Sequence, residues 1–202
     1  MKNIAILLIG FCAMPLCARE QTLFSGTMDH GGYGGPVVKF SQIGPNQDVG
    51  VLVGGQGGWI INHSFVVGGG GYGLTNDVNA DWYDIRTYDG EPQPYVLDFG
   101  YGGLLLAFIS NSDDLIHYEV FGLFGGGGAN YRLKNQVPHN NNDSDGLFVA
   151  EPGANIMLNV TPYFRIGVGG SYRYVQGVDL VGLDDGDLSG MSGHIVFKFG
   201  AF

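Results

Sequence analysis

Residues 148–174, FVAEPGANIMLNVTPYFRIGVGGSYRY, decide the fold. On both sides of Pro162, the even-numbered positions are mostly apolar and the odd-numbered positions are small, polar or charged. Because successive side chains of a β-strand point to opposite faces, this alternation predicts two strands with one apolar face each. A tight turn at Pro162 sets Leu158 opposite Ile166, so even positions meet even positions. The two strands therefore agree on which face is apolar.

The remainder of the chain repeats this pattern of strands joined by turns. Short turns and long polar loops alternate after a short first link at 44–48, which is typical of outer-membrane barrels with tight periplasmic turns and longer external loops. The predicted strands are 35–43, 49–61, 64–75, 94–109, 115–132, 147–160, 164–176 and 190–201. The predicted turns are 62–63, 110–114 and 161–163, and the predicted loops are 76–93, 133–146 and 177–189.

Composition narrows the class of protein. The chain has 202 residues, 37 of them glycine, and only 14% are charged, with a net charge of −10. Its length predicts one domain, and the lack of a basic face excludes a nucleic-acid partner. Helical periodicity is missing, and no segment after residue 18 has the ~18 consecutive apolar residues that a membrane helix needs. A membrane location would therefore require a closed barrel.

The N-terminus has the features of an export signal. Residues 1–18, MKNIAILLIGFCAMPLCA, combine Lys2 with a short apolar segment, which predicts a secretory signal peptide cleaved near Ala18. Cys17 raises lipidation as an alternative, although no small residue precedes it. The remaining chain would contain no cysteine and, with 8 basic and 19 acidic residues, would carry a net charge of −11. A disulfide or a thiolate metal site is therefore not expected.

The apolar strand faces can contact either lipid or a soluble core. The opposite faces hold glycine, serine, asparagine and a few charges, which suit the interior of a narrow barrel. We therefore predict an all-β fold, an eight-stranded antiparallel up-and-down transmembrane barrel over residues 35–202, after an N-terminal segment 19–34. A secreted soluble β-sandwich is the alternative. Aromatic side chains near strand ends are candidates for interface girdles: Trp59, Tyr72, Tyr95, Tyr118, Tyr131, Tyr163, Phe164, Tyr172 and Tyr174.

Two stretches resemble a known family. EPGANIMLNVTPYFRIGVGGSYRYVQG (151–177) and the terminal HIVFKFGAF resemble the small outer-membrane β-barrel proteins of Gram-negative bacteria, of the OmpA/OmpX-like, porin-family type. The resemblance implies an outer-membrane location, contact with lipid and lipopolysaccharide, and a terminal Phe202 read by the barrel-assembly machinery. Here the apolar alternation through Ile195, Phe197 and Phe199 is out of step with Phe202, which leaves the register of the last strand open.

Charged residues at predicted inward positions form a candidate lumen network. Glu151 faces Arg173 across the Pro162 turn, and buried charges need partners. Such a network would plug the barrel; the alternative is a gate or a proton path, which would make the protein a narrow channel. The predicted network comprises Lys39, Asp98, Glu119, Glu151, Arg165, Arg173 and Lys198.

The long loops are acidic. Their negative charge favours a solvated acidic rim or, alternatively, the binding of divalent cations beside anionic lipopolysaccharide. The run from Asn141 to Gly146 matches the start of a calcium loop, but Pro152 occupies the position of the bidentate glutamate, so no metal site is predicted. The loop acids are Asp77, Asp81, Asp84, Asp89, Glu91, Asp143, Asp145, Asp179, Asp184, Asp185 and Asp187.

No constellation of catalytic residues is evident. The glycine runs 68–71 and 125–128 open no helix and precede no Lys-Ser/Thr pair, so they are not phosphate loops. His117 and Glu119 share a strand face, yet no serine completes a triad with them. We therefore expect no enzymatic activity and no cofactor. The expected role is structural or loop-mediated binding at the bacterial cell surface, through a ligand that the sequence does not identify.

Overall fold

The structure, a computed structural model, describes residues 29–88, 91–133, 145–180 and 182–202. These residues form antiparallel strands and one short helix, and no helix among them is long and apolar enough to cross a membrane. The elements are β1 (His30–Ile43), β2 (Asp48–Ile61), β3 (Phe65–Leu74), β4 (Val78–Tyr88), β5 (Glu91–Ser110), β6 (Ile116–Leu133), β7 (Asp145–Thr161), β8 (Phe164–Gln176), α1 (Asp185–Leu188) and β9 (Gly190–Ala201).

Eight of these strands close into a barrel. Neighbouring strands run in the order β3-β2-β1-β9-β8-β7-β6-β5, and β3 pairs with β5 to complete the ring. β4 is hydrogen-bonded to β5 beside the ring and takes no part in its closure. The predicted eight-stranded antiparallel barrel is therefore confirmed. The sandwich alternative is wrong, because the strands form one closed sheet rather than two stacked sheets.

The register around Pro162 follows from strand alternation. β7 pairs with β8 so that Leu158 lies opposite Ile166 and Gly153 lies opposite Ser171. β1 begins at His30, so part of the predicted segment 19–34 belongs to the first strand. Gly32 lies opposite Ala201 there, and this pairing joins the first and last strands of the barrel.

Two predicted loops contain regular structure that sequence patterning missed. β4 lies within 76–93, and α1 lies within 177–189. β4, VNADWYDIRTY, has mixed polarity without alternation, since it pairs with β5 beside the closed wall rather than within it. Most of the loop predicted at 133–146 lies outside the described residues.

The predicted turn at Asn62 and His63 has the geometry of a type I′ hairpin turn. Both residues have positive φ, 50° and 54°, and the Ser64 N–H donates to the Ile61 carbonyl at 3.2 Å. This turn type matches the right-handed twist of the flanking strands, and asparagine tolerates its left-handed backbone. The His63 ring hydrogen-bonds to exposed Asp29, and this bond lowers the pKa of the Asp29 carboxyl group.

The outer wall of the barrel is apolar, and its interior is mixed, with charged groups among buried apolar side chains. Large hydrophobic side chains remain exposed on its outer wall, whereas the lumen contains charged and hydrogen-bonding groups. Tyr72, one of the predicted girdle aromatics, instead faces the lumen and is 5% exposed. The residues on either side of it in the strand are glycines, so the sequence shows no alternation that would assign Tyr72 to one face. Aromatic side chains exposed on the wall include Trp59, Tyr118, Tyr163, Tyr172 and Tyr174.

Candidate functional site

The barrel lumen is the candidate site because strand alternation directs the polar side chains there. On β7, for example, Glu151, Asn155 and Met157 are buried inside while Ile156 and Leu158 are exposed outside. A cation or carboxylate in such an interior needs a partner of opposite charge or several hydrogen bonds. The buried polar and charged side chains are Lys39, Ser41, Ser112, His117, Glu119, Glu151, Asn155, Arg165, Ser171, Arg173, Ser192, His194 and Lys198.

Glu151 is the centre of the cluster nearer the loop end of the barrel. The Lys39 ammonium lies 2.8 Å from both of its carboxylate oxygens. The Tyr101 hydroxyl donates to Oε2 at 2.8 Å, and the Ser171 hydroxyl donates to Oε1 at 2.5 Å. These contacts join β7 to β1, β5 and β8, so a single carboxylate connects four strands across the lumen.

Aromatic rings complete the surroundings of Lys39. Its ammonium lies 3.6 Å from the centroid of the Tyr72 ring, a cation–π distance. The Tyr72 hydroxyl donates to Gln56 Oε1 at 2.9 Å, which extends the cluster to β2. The charge of Lys39 is therefore balanced by one carboxylate and one ring face, with no access from solvent.

A second ion pair lies nearer the turn end. The Lys198 ammonium donates to Glu119 Oε2, and the Asn155 amide donates to Glu119 Oε1 at 3.0 Å. The His194 ring lies 2.6 Å from Asn155 Oδ1. This cluster links β9, β6 and β7, and its four side chains are buried.

The register of β7 and β8 is the predicted one, with Ala150 opposite Tyr174, but Glu151 and Arg173 do not form an ion pair. Glu151 is occupied by Lys39, and Arg173 donates instead through Nε to the Leu188 carbonyl at 2.7 Å and through Nη2 to the Ser41 hydroxyl at 3.2 Å. Its Nη1 is buried without a hydrogen-bond partner among the described residues. The strand register places residues side by side, but contacts across the lumen, such as that from Lys39 on β1, decide which charges pair.

Asp98 also departs from its predicted place. On β5 the odd-numbered side chains Leu97, Phe99 and Tyr101 are buried in the barrel, and Leu104 on the opposite face is exposed. Asp98 therefore lies on the outer face near the loop end and is only half-buried. Residues 104–109 are apolar on both faces, so alternation on this strand could not assign the inward side.

Because Asp98 lies on the outer face, the charge balance of the lumen differs from the predicted one. Among the described residues, the buried charged side chains of the lumen are Lys39, Arg165, Arg173 and Lys198 against Glu119 and Glu151. Both lysines are matched by glutamates. Neither arginine has a carboxylate within ion-pair distance in the part of the chain that the structure describes, so the lumen is net positive.

Loop 177–189 covers the loop end of the lumen. Leu188 and Leu183, 0% and 3% exposed, pack into the same buried cluster as barrel residues such as Leu52 and Leu97. The Gly44 N–H donates to the Asp187 carbonyl at 2.8 Å, which ties the loop to the β1–β2 turn. Arg173 also donates a hydrogen bond to the Leu188 carbonyl from inside the lumen. The loop therefore forms a plug, which we name the 177–189 plug.

Replacement of Leu188 with alanine is expected to release the 177–189 plug. Truncating a fully buried leucine costs ~2–5 kcal/mol, and here the loss concerns the local seating of the loop. Amide hydrogen exchange over residues 183–189 should accelerate while the barrel strands stay protected. The matched control is Leu180→Ala, because Leu180 is only partly buried and should have a smaller effect. Equal exchange in both variants would contradict this role of Leu188.

The acidic loop residues are dispersed in the structure. Asp77 accepts a bond from Arg132 at 2.8 Å, and Asp185 accepts one from the Val178 N–H. Asp184 and Asp187 form a capping box around α1. Asp89 and Asp143 lie outside the described residues. Over the described ranges, no three His, Cys, Asp or Glu side chains form a group suited to hold a metal ion.

Sequence reasoning missed the uncharged members of the network. Tyr101, Ser171 and Asn155 supply hydrogen bonds to the two glutamates. Ser171 and Asn155 were detectable, since they share strand parity with Arg173 and Glu151. Tyr101 carried no such signal, because β5 lacks alternation.

Comparison with known proteins shows likeness of fold and little likeness of sequence. No protein-family model matches the chain, and no curated protein matches it. The crystal structure of Neisserial surface protein A (NspA) aligns with a TM-score of 0.53 at 9% identity, covering 87% of this chain and 99% of that chain. Ail, the attachment invasion locus protein of Yersinia pestis, aligns with a TM-score of 0.47 at 12% identity, covering 85% and 97%. The Yersinia pestis outer membrane protein Ail in a phospholipid bilayer nanodisc aligns with a TM-score of 0.39 at 14% identity, covering 84% of this chain and 99% of that chain.

Proposed function

We propose that the chain is an integral barrel protein of the bacterial outer membrane, with a structural or loop-mediated binding role at the cell surface. The observation that carries the proposal is the apolar outer wall of a barrel whose interior holds charged groups. Large apolar side chains such as Leu104, Val120 and Phe124 are 48–53% exposed on the outer wall, while two ion pairs are sealed inside. A water-soluble barrel would have the opposite arrangement, because exposed apolar patches of this extent favour lipid or aggregation.

The outer surface has the layout expected of a membrane barrel. Exposed Trp59, Tyr118 and Tyr163 lie toward the turn end, and exposed Tyr172 and Tyr174 lie toward the loop end. Aromatic girdles at both interfaces flank an apolar band in such proteins. The tight turns would face the periplasm and the long loops the exterior, as is typical of outer-membrane barrels. Export through residues 1–18, which lie outside the described residues, belongs to the same proposal.

The filled lumen favours a structural or binding role over a channel. The Glu151 cluster crosses the barrel from β7 to β1, and the 177–189 plug covers the loop end. An eight-stranded barrel has room only for side chains in its interior. The proposed role therefore includes no transport, and it leaves the loops as the binding surface. Lipid and lipopolysaccharide are the proposed contacts of the wall, and the barrel-assembly machinery is the proposed partner during insertion.

Cell fractionation tests the proposed location. The full chain should appear in the outer-membrane fraction, and its band on an SDS gel should shift when the sample is boiled, because a closed barrel resists SDS until heated. Planar bilayers containing the purified protein should show no channel conductance. A soluble band that does not shift, or steady ion conductance, would overturn the corresponding part of the proposal.

An arginine on the outer wall should distinguish lipid contact from solvent contact. We expect Leu104→Arg to lower the free energy of unfolding from lipid vesicles by ~2–4 kcal/mol, because the middle of the wall would face the centre of the bilayer. Val49→Arg is the matched control: Val49 is exposed at the loop end of β2 and should cost only ~0–1 kcal/mol. Equal small losses from reversible urea titration of both variants would argue against a transmembrane wall.

A further inference from the structure

A polar cavity opens at the turn end of the barrel, separate from the two sealed ion-pair clusters. It has a volume of about 420 Å³ and lies between the β5–β6 turn, the β7–β8 turn and the end of β9. Its wall includes Ser112, Asp113, Asn159, Thr161, Arg165 and Phe202.

Arg165 is the charged group of this cavity. Its side chain is 6% exposed, and its guanidinium lies 4.0 Å from the centroid of the Phe202 ring. Unlike Lys39 and Lys198, it has no hydrogen-bond acceptor among the described residues. This cation–π contact holds the guanidinium beside the cavity, and the donors of its planar fork match a carboxylate. Phe202 thus faces the lumen side, which settles the open register: Phe199 points outward and Phe202 inward.

The rim of the cavity is rigid and carries a negative charge. The Asn159 amide donates to the Ser112 carbonyl at 2.9 Å and to the Asp114 carbonyl at 2.8 Å. These bonds hold the β5–β6 turn against β7. Asp113, next to this anchored segment, is exposed and lines the cavity. A buried cation and a carboxylate at the rim thus border one space.

We propose that this cavity binds a small α-amino carboxylate, such as a free amino acid, with its carboxylate on Arg165 and its ammonium toward Asp113. A doubly charged oxyanion fits less well, because Asp113 would repel it. The ligand's periplasmic origin rests on the proposed orientation in the membrane, but binding to the purified barrel does not.

The test uses the full chain refolded in detergent micelles, with the boiling-dependent gel shift as the check for folding. L-alanine is the probe, and two-dimensional NMR follows the backbone amides of Ser112, Asn159 and Thr161. We expect saturable shifts, weakened about tenfold by Arg165→Lys because lysine cannot form the planar fork. Asp113→Asn should also weaken binding. Arg132→Lys is the matched control at the opposite end of the barrel and should bind as the unmodified chain does.

Related probes separate the ligand classes. Alaninamide, which lacks the carboxylate, should give no saturable shift, and propionate, which lacks the ammonium, should bind more weakly than alanine. The proposal fails if alanine gives no saturable shift, if Arg165→Lys binds as tightly as the unmodified chain, or if alaninamide or inorganic phosphate binds as well as alanine. These outcomes are independent of cell fractionation, so they do not depend on the proposed location.

Discussion

Glu151→Ala is expected to lower the free energy of unfolding by ~3–5 kcal/mol, because it leaves one partner of a buried ion pair uncompensated. The Lys39 ammonium would remain buried in the lumen without a carboxylate partner. The donors of Tyr101 and Ser171 would lose their shared acceptor as well. The measurement is reversible urea unfolding in lipid vesicles, followed by tryptophan fluorescence.

Two further variants separate the causes of this loss. Glu151→Gln keeps an acceptor but removes the charge, so we expect an intermediate effect. The double variant Lys39→Met with Glu151→Leu removes both charges, and apolar replacement of a buried pair is often neutral or stabilising. It should therefore recover most of the stability that Glu151→Ala loses. If the double variant is no more stable than Glu151→Ala, packing rather than the unpaired charge sets the cost.

Gly103→Val is expected to prevent formation of the heat-modifiable barrel, with a cost of about 3 kcal/mol or more, because overpacking here meets backbone rather than flexible side chains. A Cβ on Gly103 would lie 2.2 Å from the Phe124 carbonyl oxygen and 2.6 Å from the Gly125 Cα. Gly103 and Gly125 lie opposite each other in the β5–β6 pair. The two strands approach so closely there that neither residue has room for a side chain.

Gly193→Val is the matched control for this prediction. Gly193 lies on β9 within the same barrel, and a Cβ there meets no heavy atom within 4 Å. It should fold and show the boiling-dependent shift on an SDS gel. Failure of both variants would mean that valine in any strand glycine position blocks assembly, and the close approach of β5 and β6 would no longer explain the result.

The alternation in residues 148–174 was sufficient to determine the positions of two strands and their polar and apolar faces, and the succession of strands, turns and loops along the chain predicted the number of strands in the wall. These are local properties, since the pleat of a strand alternates its side chains whatever lies beside it. Where alternation is lost, as in the apolar run 104–109, the sequence could not assign the inward side, and Asp98 was placed wrongly for that reason. β4 was missed because it lies beside the closed wall and its pattern carries no burial signal.

Only the tertiary structure decided which groups meet across the lumen. Lys39 and Glu151 are 112 residues apart in sequence, and their contact depends on the closure of β3 on β5 and on the stagger of all eight wall strands. The seating of the 177–189 plug on Arg173 depends on the same closure. A strand fixes which way its side chains point from its own sequence, but the partner across a barrel is set by how the whole sheet curves and closes.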